Sequence, residues 1–516
     1  MVLSNLGLEL QPLAAPLPVW YLTVDRELWT TAARAIKAEG GRLVSMWGVD
    51  RNSGLRARSA CAAYAIEQGL VWLDLQLAPS GTDFPDLSGV FSCAARMQRT
   101  MADLSGLRAD GAMDHRPWLD HGLWDLTGPP LQQGIQTQPG PPARLPAEYP
   151  FVRVEGDGVH EIAVGPVHAG IIEPGHFRFS AVGEKVLRLE ERFGYVHKGI
   201  ERRFTELPAL EAHRLAGRVS GDSTVSFAWA YCMALECALD CSVPARATWL
   251  RALMLERERV ANHLGDLGAL GNDAALSFGL AQFSRLREDW LRLSGESFGH
   301  RLMMDAVVPG GVAPNPSPTV LEGLRQQCDD IEREVRVLKV VYDEHAGLQD
   351  RFLTTGRVEP ALAEQLGLTG LAGRASGQAF DLRHDHRWAP YDQFEVAVAS
   401  SRNGDVAARV AVRFEEVFES LRLIRLLCEG MPEGSVRATL QVKHEASRGA
   451  GWVEGWRGQI LVTLELHADG RIVRCHCHDP SWQNWPVLEH AVIGNIVPDF
   501  PLINKSFNLS YSGHDL

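Results

Sequence analysis

Seven prolines crowd into residues 127–150, "TGPPLQQGIQTQPGPPARLPAEYP". Proline fixes φ and lacks an amide donor, so this stretch neither continues a helix nor serves as a central strand. It reads as a linker that divides the chain into two regions patterned in different ways, residues 1–126 and 151–516. With 516 residues, 45% of them hydrophobic, there is enough apolar side chain for two or three separate cores.

Residues 1–126 read as a small α/β domain. "LPVWYLTV" (17–24), "RLVSMWGVD" (42–50) and "GLVWLDLQLAP" (69–79) are strand-like. "RELWTTAARAIKAEGG" (26–41) is an amphipathic helix closed by a glycine pair, and a second helix is predicted around "RSACAAYAIEQ" (58–68). From 151 the period changes. A short strand region (151–182) leads into long stretches with apolar residues three and four apart, at 247–270, 320–345 and 407–430. Strands return near the end, where "GQILVTLELHADGRIVRCHCHD" reads as a hairpin turning at Asp469-Gly470. The predicted fold class is α+β: a small α/β domain, then a helical bundle carrying small β elements at each end.

The formal charge is −13, with no dense Lys/Arg run, which excludes a nucleic-acid binder because phosphate neutralisation needs clustered cations. No stretch approaches the roughly 18–20 apolar residues of a membrane span. The start, "MVLSNLGLELQPL", lacks the pattern of a secretory signal. Work at a membrane is therefore expected to be through partners. Nine scattered cysteines do not resemble a disulfide framework and point to a reducing compartment.

Several strings look chemical. "GPVHAGIIEPGHFRF" (165–179) sets His168, Glu173 and His176 in a Gly/Pro-rich loop, and "YVHKGIERRF" (195–204) groups His197, Lys198 and Arg202. "RCHCHDP" (474–480) alternates Cys and His, but on a strand Cys475 and Cys477 share one face and the histidines the other. A packed or solvent-facing hairpin is the expectation there. Cys237 and Cys241, four apart, are expected on a helix in the core. "SRNGDVAARVAVRFEE" (401–416) reads as a helix start with Asp405 in its first turn, and Arg409 and Arg413 on one face near Glu416 as buried ion pairs. "RVSGDS" (218–223) places Ser220 and Ser223 where a metal protein would set thiolates.

Together with "LERERVANHLGDLGAL", "VVPGGV", "ASGQAFDLR", "VEGWRGQI" and "DPSWQNWPVLEHAVIGNIVPDFPLI", these strings resemble the large subunit of nickel–iron hydrogenases and its relative, the hydrogenase-like quinone subunit of respiratory complex I. The likeness runs over most of 160–516. The N-terminal region is similar to the small soluble complex I subunit through "RLVSMWGVDR" and "RMQRTMADLSGL", with Gln98 and Ser105 where Glu and Phe are usual. A fusion of the two is typical of membrane-bound, complex I-like hydrogenases.

The resemblance implies where chemistry would sit. Family hydrogenases hold nickel and iron with two Cys-x-x-Cys pairs, whose soft thiolates bridge two late transition metals. Here the four positions are Ser220, Ser223, Ser510 and Gly513. No nickel–iron centre, and no other cofactor bound by this chain itself, is expected. The sequence ends at Leu516, where family hydrogenases carry a tail removed after metal insertion, and no such processing is expected. Ser220 and Ser223 then read as a helix-entry turn. Glu173 matches the family glutamate that relays protons, or is a loop carboxylate bonded to backbone amides. Arg457 matches the arginine over the active site. His168 matches the first histidine of the complex I quinone loop, and His176 is a second candidate for a quinone head, whereas the family tyrosine position falls at Gly217. His197 and Arg202 match contacts to a cluster-bearing partner, or else form a solvated helix end.

The implied partners are an iron–sulfur small subunit holding the cluster, a ferredoxin-like iron–sulfur subunit, and membrane proton-channel and antiporter-like subunits, with the chain peripheral on the cytoplasmic side of the membrane. The segments expected to face the small subunit are 165–178 and 480–516. Three functions compete: a core subunit of a complex I-like oxidoreductase that lost hydrogen chemistry, linking electron transfer or conformational change to ion translocation; a quinone-reducing subunit with an altered pocket; and a scaffold without redox turnover.

Overall fold

The computed structural model describes residues 10–51, 57–78, 81–124, 126–132, 134–136, 148–168, 172–441 and 443–516. Residues 137–147 of the expected linker and 169–171 of the 165–178 loop lie outside the described residues.

The small domain is built on a five-stranded sheet: β1 (Gln11–Pro12), β2 (Val19–Val24), β3 (Arg42–Arg51), β4 (Ala57–Ile66) and β5 (Gly69–Gln76). Their spatial order is β1-β2-β5-β4-β3, with β2 and β5 parallel and the other pairs antiparallel. Helices α1 (Arg26–Ala38) and α2 (Ala94–Ser105) accompany it. Asp25 caps α1 by accepting the Leu28 amide at 2.8 Å.

Residues 58–66 form strand β4, not the predicted helix. Ala60, Ala62, Tyr64 and Ile66 join the core that contains α1 and α2, while Cys61, Ala63 and Ala65 join the core of the helical bundle. A strand buried on both faces shows a continuous apolar run, which Ala-rich composition disguises as a helix.

Beyond the linker, β6 (Val159–Val164), β7 (His176–Val182) and β8 (Lys185–Arg192) make an antiparallel sheet in the order β8-β7-β6. The bundle follows: α3 (Thr224–Leu239), α4 (Ala245–Asp273), α5 (Ser277–Phe298), α6 (Pro318–Glu344) and α7 (Val406–Glu429). Every residue of α3 is buried. It lies against the last sheet, made of β9 (Ser447–Glu454), β10 (Gln459–Leu466) and β11 (Ile472–His478). Gly449 and Gly451 permit that approach, since a Cβ on either would come within 2.0 Å of a carbonyl oxygen of α3. Cys241 falls outside α3, which ends at Leu239 with Asp240 in the left-handed region, and it is half-buried rather than in the core.

The bundle interior carries paired charges. Glu416 binds His263 at 2.8 Å and Arg374 at 2.7 Å, and Arg413 binds Asp266 at 3.0 Å. The ion pairs expected within 401–416 therefore run to other helices. Arg409 bonds the carbonyls of Gly404 and Gly356 and the Ser506 hydroxyl instead of a carboxylate. Asp405 caps α7 through the Ala408 amide at 2.8 Å. No helix among the described residues is long and apolar enough to cross a membrane.

The Cys/His strand β11 joins the two domains. Cys475 and Cys477 pack into the bundle core. On the opposite face, the His476 ring stacks on Trp47 of β3 at 4.8 Å, and its Nε2 lies 2.7 Å from the Ser45 hydroxyl. Its Nδ1 meets Glu201 at 2.6 Å, and Arg474 reaches Glu201 at 2.8 Å and the Gly48 carbonyl at 2.9 Å. The hairpin is packed, and its chemistry is that of a domain joint.

Candidate functional site

Ser220, Ser223, Ser510 and Gly513, where the resemblance implies thiolates, lie in one cluster. Ser220 has extended backbone, and one 3-10 turn (Gly221–Ser223) then opens α3. Near the end of the chain, α8 (Ser481–Ala491), α9 (Phe500–Phe507) and the short helix α10 (Tyr511–Asp515) fold back against it. Ser510 caps α10, its hydroxyl accepting the Gly513 amide at 2.8 Å, and that same hydroxyl lies 3.0 Å from the Ser220 hydroxyl. Ser220 also donates to Asp222 at 2.7 Å.

Arg457 lies across this cluster. Its guanidinium gives two N–H bonds to the Asp222 carboxylate, at 2.9 and 2.6 Å, and others to the Asn508 carbonyl at 2.5 Å and the Ser223 hydroxyl at 3.3 Å. The Trp456 indole donates to Ser223 at 3.1 Å and to the Asp222 carbonyl at 2.9 Å. Burial alone would raise the Asp222 carboxyl, but the Arg457 charge and hydrogen bonds hold it down at about 2.

Gly513 is crowded by an acid. A Cβ there would stand 2.4 Å from Oδ2 of Asp479 and 2.9 Å from the Ser510 hydroxyl. Asp479 is fully buried; its Oδ1 accepts the Ser481 amide at 2.8 Å, and its Oδ2 has no partner among the described residues. Burial pushes its carboxyl above the usual range, which favours the protonated form. A second buried acid, Glu258, takes the Val225 and Ser226 amides at the start of α3 and the Ser226 hydroxyl, and burial raises it to about 7.

Of the other candidates, Glu173 reaches the cluster from the exposed loop, accepting the Ser512 amide at 3.0 Å. That bond fits its reading as a loop carboxylate held by backbone while placing it against α10. His168 is half-buried on the same loop and has no hydrogen-bond partner among the described residues. His176 opens β7 instead, with Nδ1 3.2 Å from the Gly165 carbonyl and its ring 5.2 Å from Phe151. His197 lies 2.7 Å from the Asp515 carbonyl and packs near Trp124, and Arg202 donates to the Pro130 carbonyl at 2.7 Å.

Sequence reasoning missed Asp222, Asp479, Trp456 and Lys198 as members of this cluster. Asp222 stood between two singled-out serines, a usable signal. Asp479 had none, being far in sequence from Gly513. Lys198 donates its amide to the Leu516 carbonyl at 2.7 Å, and burial pushes its ammonium pKa down.

Two protein-family descriptions match: "Respiratory-chain NADH dehydrogenase, 30 Kd subunit" over residues 22–139 and "Respiratory-chain NADH dehydrogenase, 49 Kd subunit" over residues 273–449. Formate hydrogenlyase subunit 5 of Escherichia coli K12 is 28% identical over 92% of this chain and 85% of its own length. The carbon monoxide-induced hydrogenase of Rhodospirillum rubrum is 30% identical over 68% of this chain and 97% of its own. Among solved structures, a chain of the membrane-bound sulfane sulfur reductase, an archaeal respiratory membrane complex, has the same fold, with a TM-score of 0.65 at 24% identity over 70% of this chain and 99% of that one. The chain therefore belongs to the oxidoreductase family of fused 30-kDa and 49-kDa respiratory-chain subunits, which complex I-like hydrogenases share with NADH dehydrogenases.

Proposed function

We propose that this chain is the core peripheral-arm subunit of a membrane-bound, complex I-like oxidoreductase and works without a nickel–iron centre. The observation that carries the second half is the donor set. Serine hydroxyls at 220, 223 and 510 are neutral, hard donors, poorly suited to nickel or low-spin iron, and Gly513 offers no donor atom. The carboxylate that Ser220 bonds, Asp222, is committed to Arg457. These residues do not fit a nickel–iron group.

What they can do is hold charge and protons. Asp222 and Arg457 form a fixed ion pair, Asp479 is an acid whose burial favours the protonated form, and Glu173 connects the exposed loop to α10. The chain's part is thus to seat an iron–sulfur small subunit with its cluster, and through it a ferredoxin-like subunit, against membrane proton-channel and antiporter-like subunits on the cytoplasmic side. It links electron transfer or conformational change to ion translocation. Support comes from the family membership and from the loop beside Glu173, where Val167 and Ile172 are exposed.

Purification of the intact complex from membranes, with subunit identification and metal analysis, tests this. The expected result is cluster iron in a partner with nickel far below one per chain, and stoichiometric nickel refutes it. Quinone reduction is the second reading, favoured by the imidazole of His168, which has no hydrogen-bond partner among the described residues. It predicts that His168→Ala abolishes reduction of a short-chain quinone by the complex while leaving its assembly unchanged.

A further inference from the structure

Three elements meet where the small domain docks on the C-terminal helices, and each brings one charged side chain to the same point. Arg96 comes from α2, Glu191 from β8 and Glu489 from α8. Arg96 donates to Oε2 of Glu191 at 2.9 Å, and its other terminal nitrogen meets Oε1 of Glu489 at 2.6 Å. One guanidinium is thus divided between two carboxyls. Oε1 of Glu489 also accepts the backbone amide of Glu191 at 2.8 Å. The Glu191 side chain is fully buried, whereas that of Glu489 is 21% exposed.

Charge does not balance here if both acids are ionised. Among the described residues no second cation pairs with either. The nearby guanidiniums are engaged elsewhere: Arg99 on Asp114, Arg116 on Asp114 and Glu190, and Arg192 on the carbonyls of Pro117, Trp118 and Asp120. Across the ladder from Glu191, β7 offers only the apolar ring of Phe177. From α10 comes Tyr511, whose phenol is pushed up by burial and by Glu191 and Glu173. Tyr149 and His514 face Arg96, and burial pushes His514 towards its neutral form. Trp118 lies under the Arg96 guanidinium at 4.5 Å. None of these groups supplies a compensating positive charge. Oε1 of Glu191, moreover, has no hydrogen-bond partner among the described residues. A bare ionised oxygen in a buried place is costly, and a neutral O–H costs far less. Two carboxyls crowded on one cation settle by sharing a proton.

We propose that Arg96, Glu191 and Glu489 form a proton-binding joint, in which Glu191 keeps one proton at neutral pH, exchanges it with solvent past the partly exposed Glu489, and so sets how firmly α2 docks on β8 and α8. Burial first, then the Glu489 charge, pushes the Glu191 carboxyl well above its ordinary range. The folded chain therefore holds this proton more tightly than the unfolded one. The stability that Glu191 contributes is fully present below pH ~4.5 and is lost as pH rises through the higher folded value. The joint shares no residue with the Ser220 cluster, and it stands whether or not the chain takes part in redox turnover.

Infrared spectroscopy of the full chain tests it. At pH ~7 the parent should show the carbonyl band of a protonated carboxylic acid, shifted in heavy water, that is missing from Glu191→Gln. Glu489→Gln changes a partly exposed side chain and returns the site to one acid per cation. It should weaken proton binding at Glu191 by about tenfold or more, read as a fall of about one unit or more in the pH at which that band is half lost. In thermal melts Glu191→Gln should be no less stable than the parent at pH ~7, and its melting temperature should fall less between pH ~5 and pH ~9. The joint is an ordinary ion pair, and the idea is overturned, if Glu191→Gln leaves the neutral-pH spectrum unchanged or melts well below the parent at pH ~7. It is equally overturned if Glu489→Gln leaves the midpoint of the band where it was.

Discussion

Replacing Gly513 with alanine is the sharpest probe of how tightly the space around that position is filled. The new Cβ would stand 2.4 Å from Asp479 Oδ2 and 2.9 Å from the Ser510 hydroxyl, inside ordinary contact distance. Asp479 cannot easily retreat, because its other oxygen holds the Ser481 amide at 2.8 Å in a fully buried site. Overpacking of this kind costs about 1–3 kcal/mol, offset by up to about 1 kcal/mol that alanine contributes over glycine in a helix. The expected net loss is about 1–2 kcal/mol, felt locally in α10. Native-state hydrogen exchange at the Ser512 and Gly513 amides reads that opening free energy directly. Asp479→Ala alone should cost about 1–2 kcal/mol through the abandoned Ser481 amide. Combined with Gly513→Ala it should recover about 2 kcal/mol of coupling, because the clash is gone. If Gly513→Ala exchanges no faster than the parent, or costs the same whether or not Asp479 is present, the reasoning fails.

Other outcomes follow from the same network. Arg457→Met should destabilise the 220–223 turn by about 1–3 kcal/mol, a buried-pair cost reduced for the half-exposed Asp222, and exchange at the Ser223 amide measures it. Glu201 is held down at about 2 chiefly by Arg474 and His476 against the effect of its own burial. It should therefore contribute about 3 kcal/mol to domain docking at neutral pH, present above pH ~4.5 and lost as pH falls through about 2. Thermal melts from pH 6 to 2 should show that loss in the parent and not in Glu201→Gln. Glu258, raised by burial to about 7, has the opposite sign. The folded chain holds its proton more tightly than the unfolded one, so this stability is fully present below pH ~4.5 and falls by up to about 3 kcal/mol as pH rises to about 7. Glu258→Gln should flatten the melting temperature across that interval.

The α+β class and the long helices were legible because their signal is local. In α4 and α6 the apolar spacing repeats over many turns, and Asp25 and Asp405 sit where their caps form. Strand β4 was misread because its two faces enter different cores, and nothing within 58–68 says that a second domain will cover the far side. The alternation of Cys and His at 475–478 invited a metal reading that geometry on a strand already weakened. What it could not convey was that Trp47 and Ser45, hundreds of residues away, would complete the environment of His476.

The cluster at Ser220 shows the same division more sharply. Serine or glycine at the four positions where the resemblance implies thiolates is a local fact, visible in "RVSGDS" and "NLSYSGHDL". What fills the space around them is not, because filling obeys charge and volume in three dimensions. Four thiolates and two metal ions together bring a compensated charge and a fixed bulk to a buried place. Subtracting all of it requires a neutral filling of similar reach. The chain supplies one from distant positions: Arg457 cancels Asp222, two hydroxyls bridge 220 to 510, and the Asp479 carboxyl enters the room left by a missing Cβ. An acid placed there with an oxygen unbonded is tolerable only while it keeps its proton, as its burial favours. Cysteine at 513 is therefore opposed by packing before any question of metal chemistry arises. Placing thiols at 220, 223 and 510 alone should give a folded chain that binds nickel no better than the parent, whereas adding Gly513→Cys should loosen α10 as Gly513→Ala does until Asp479 is shortened.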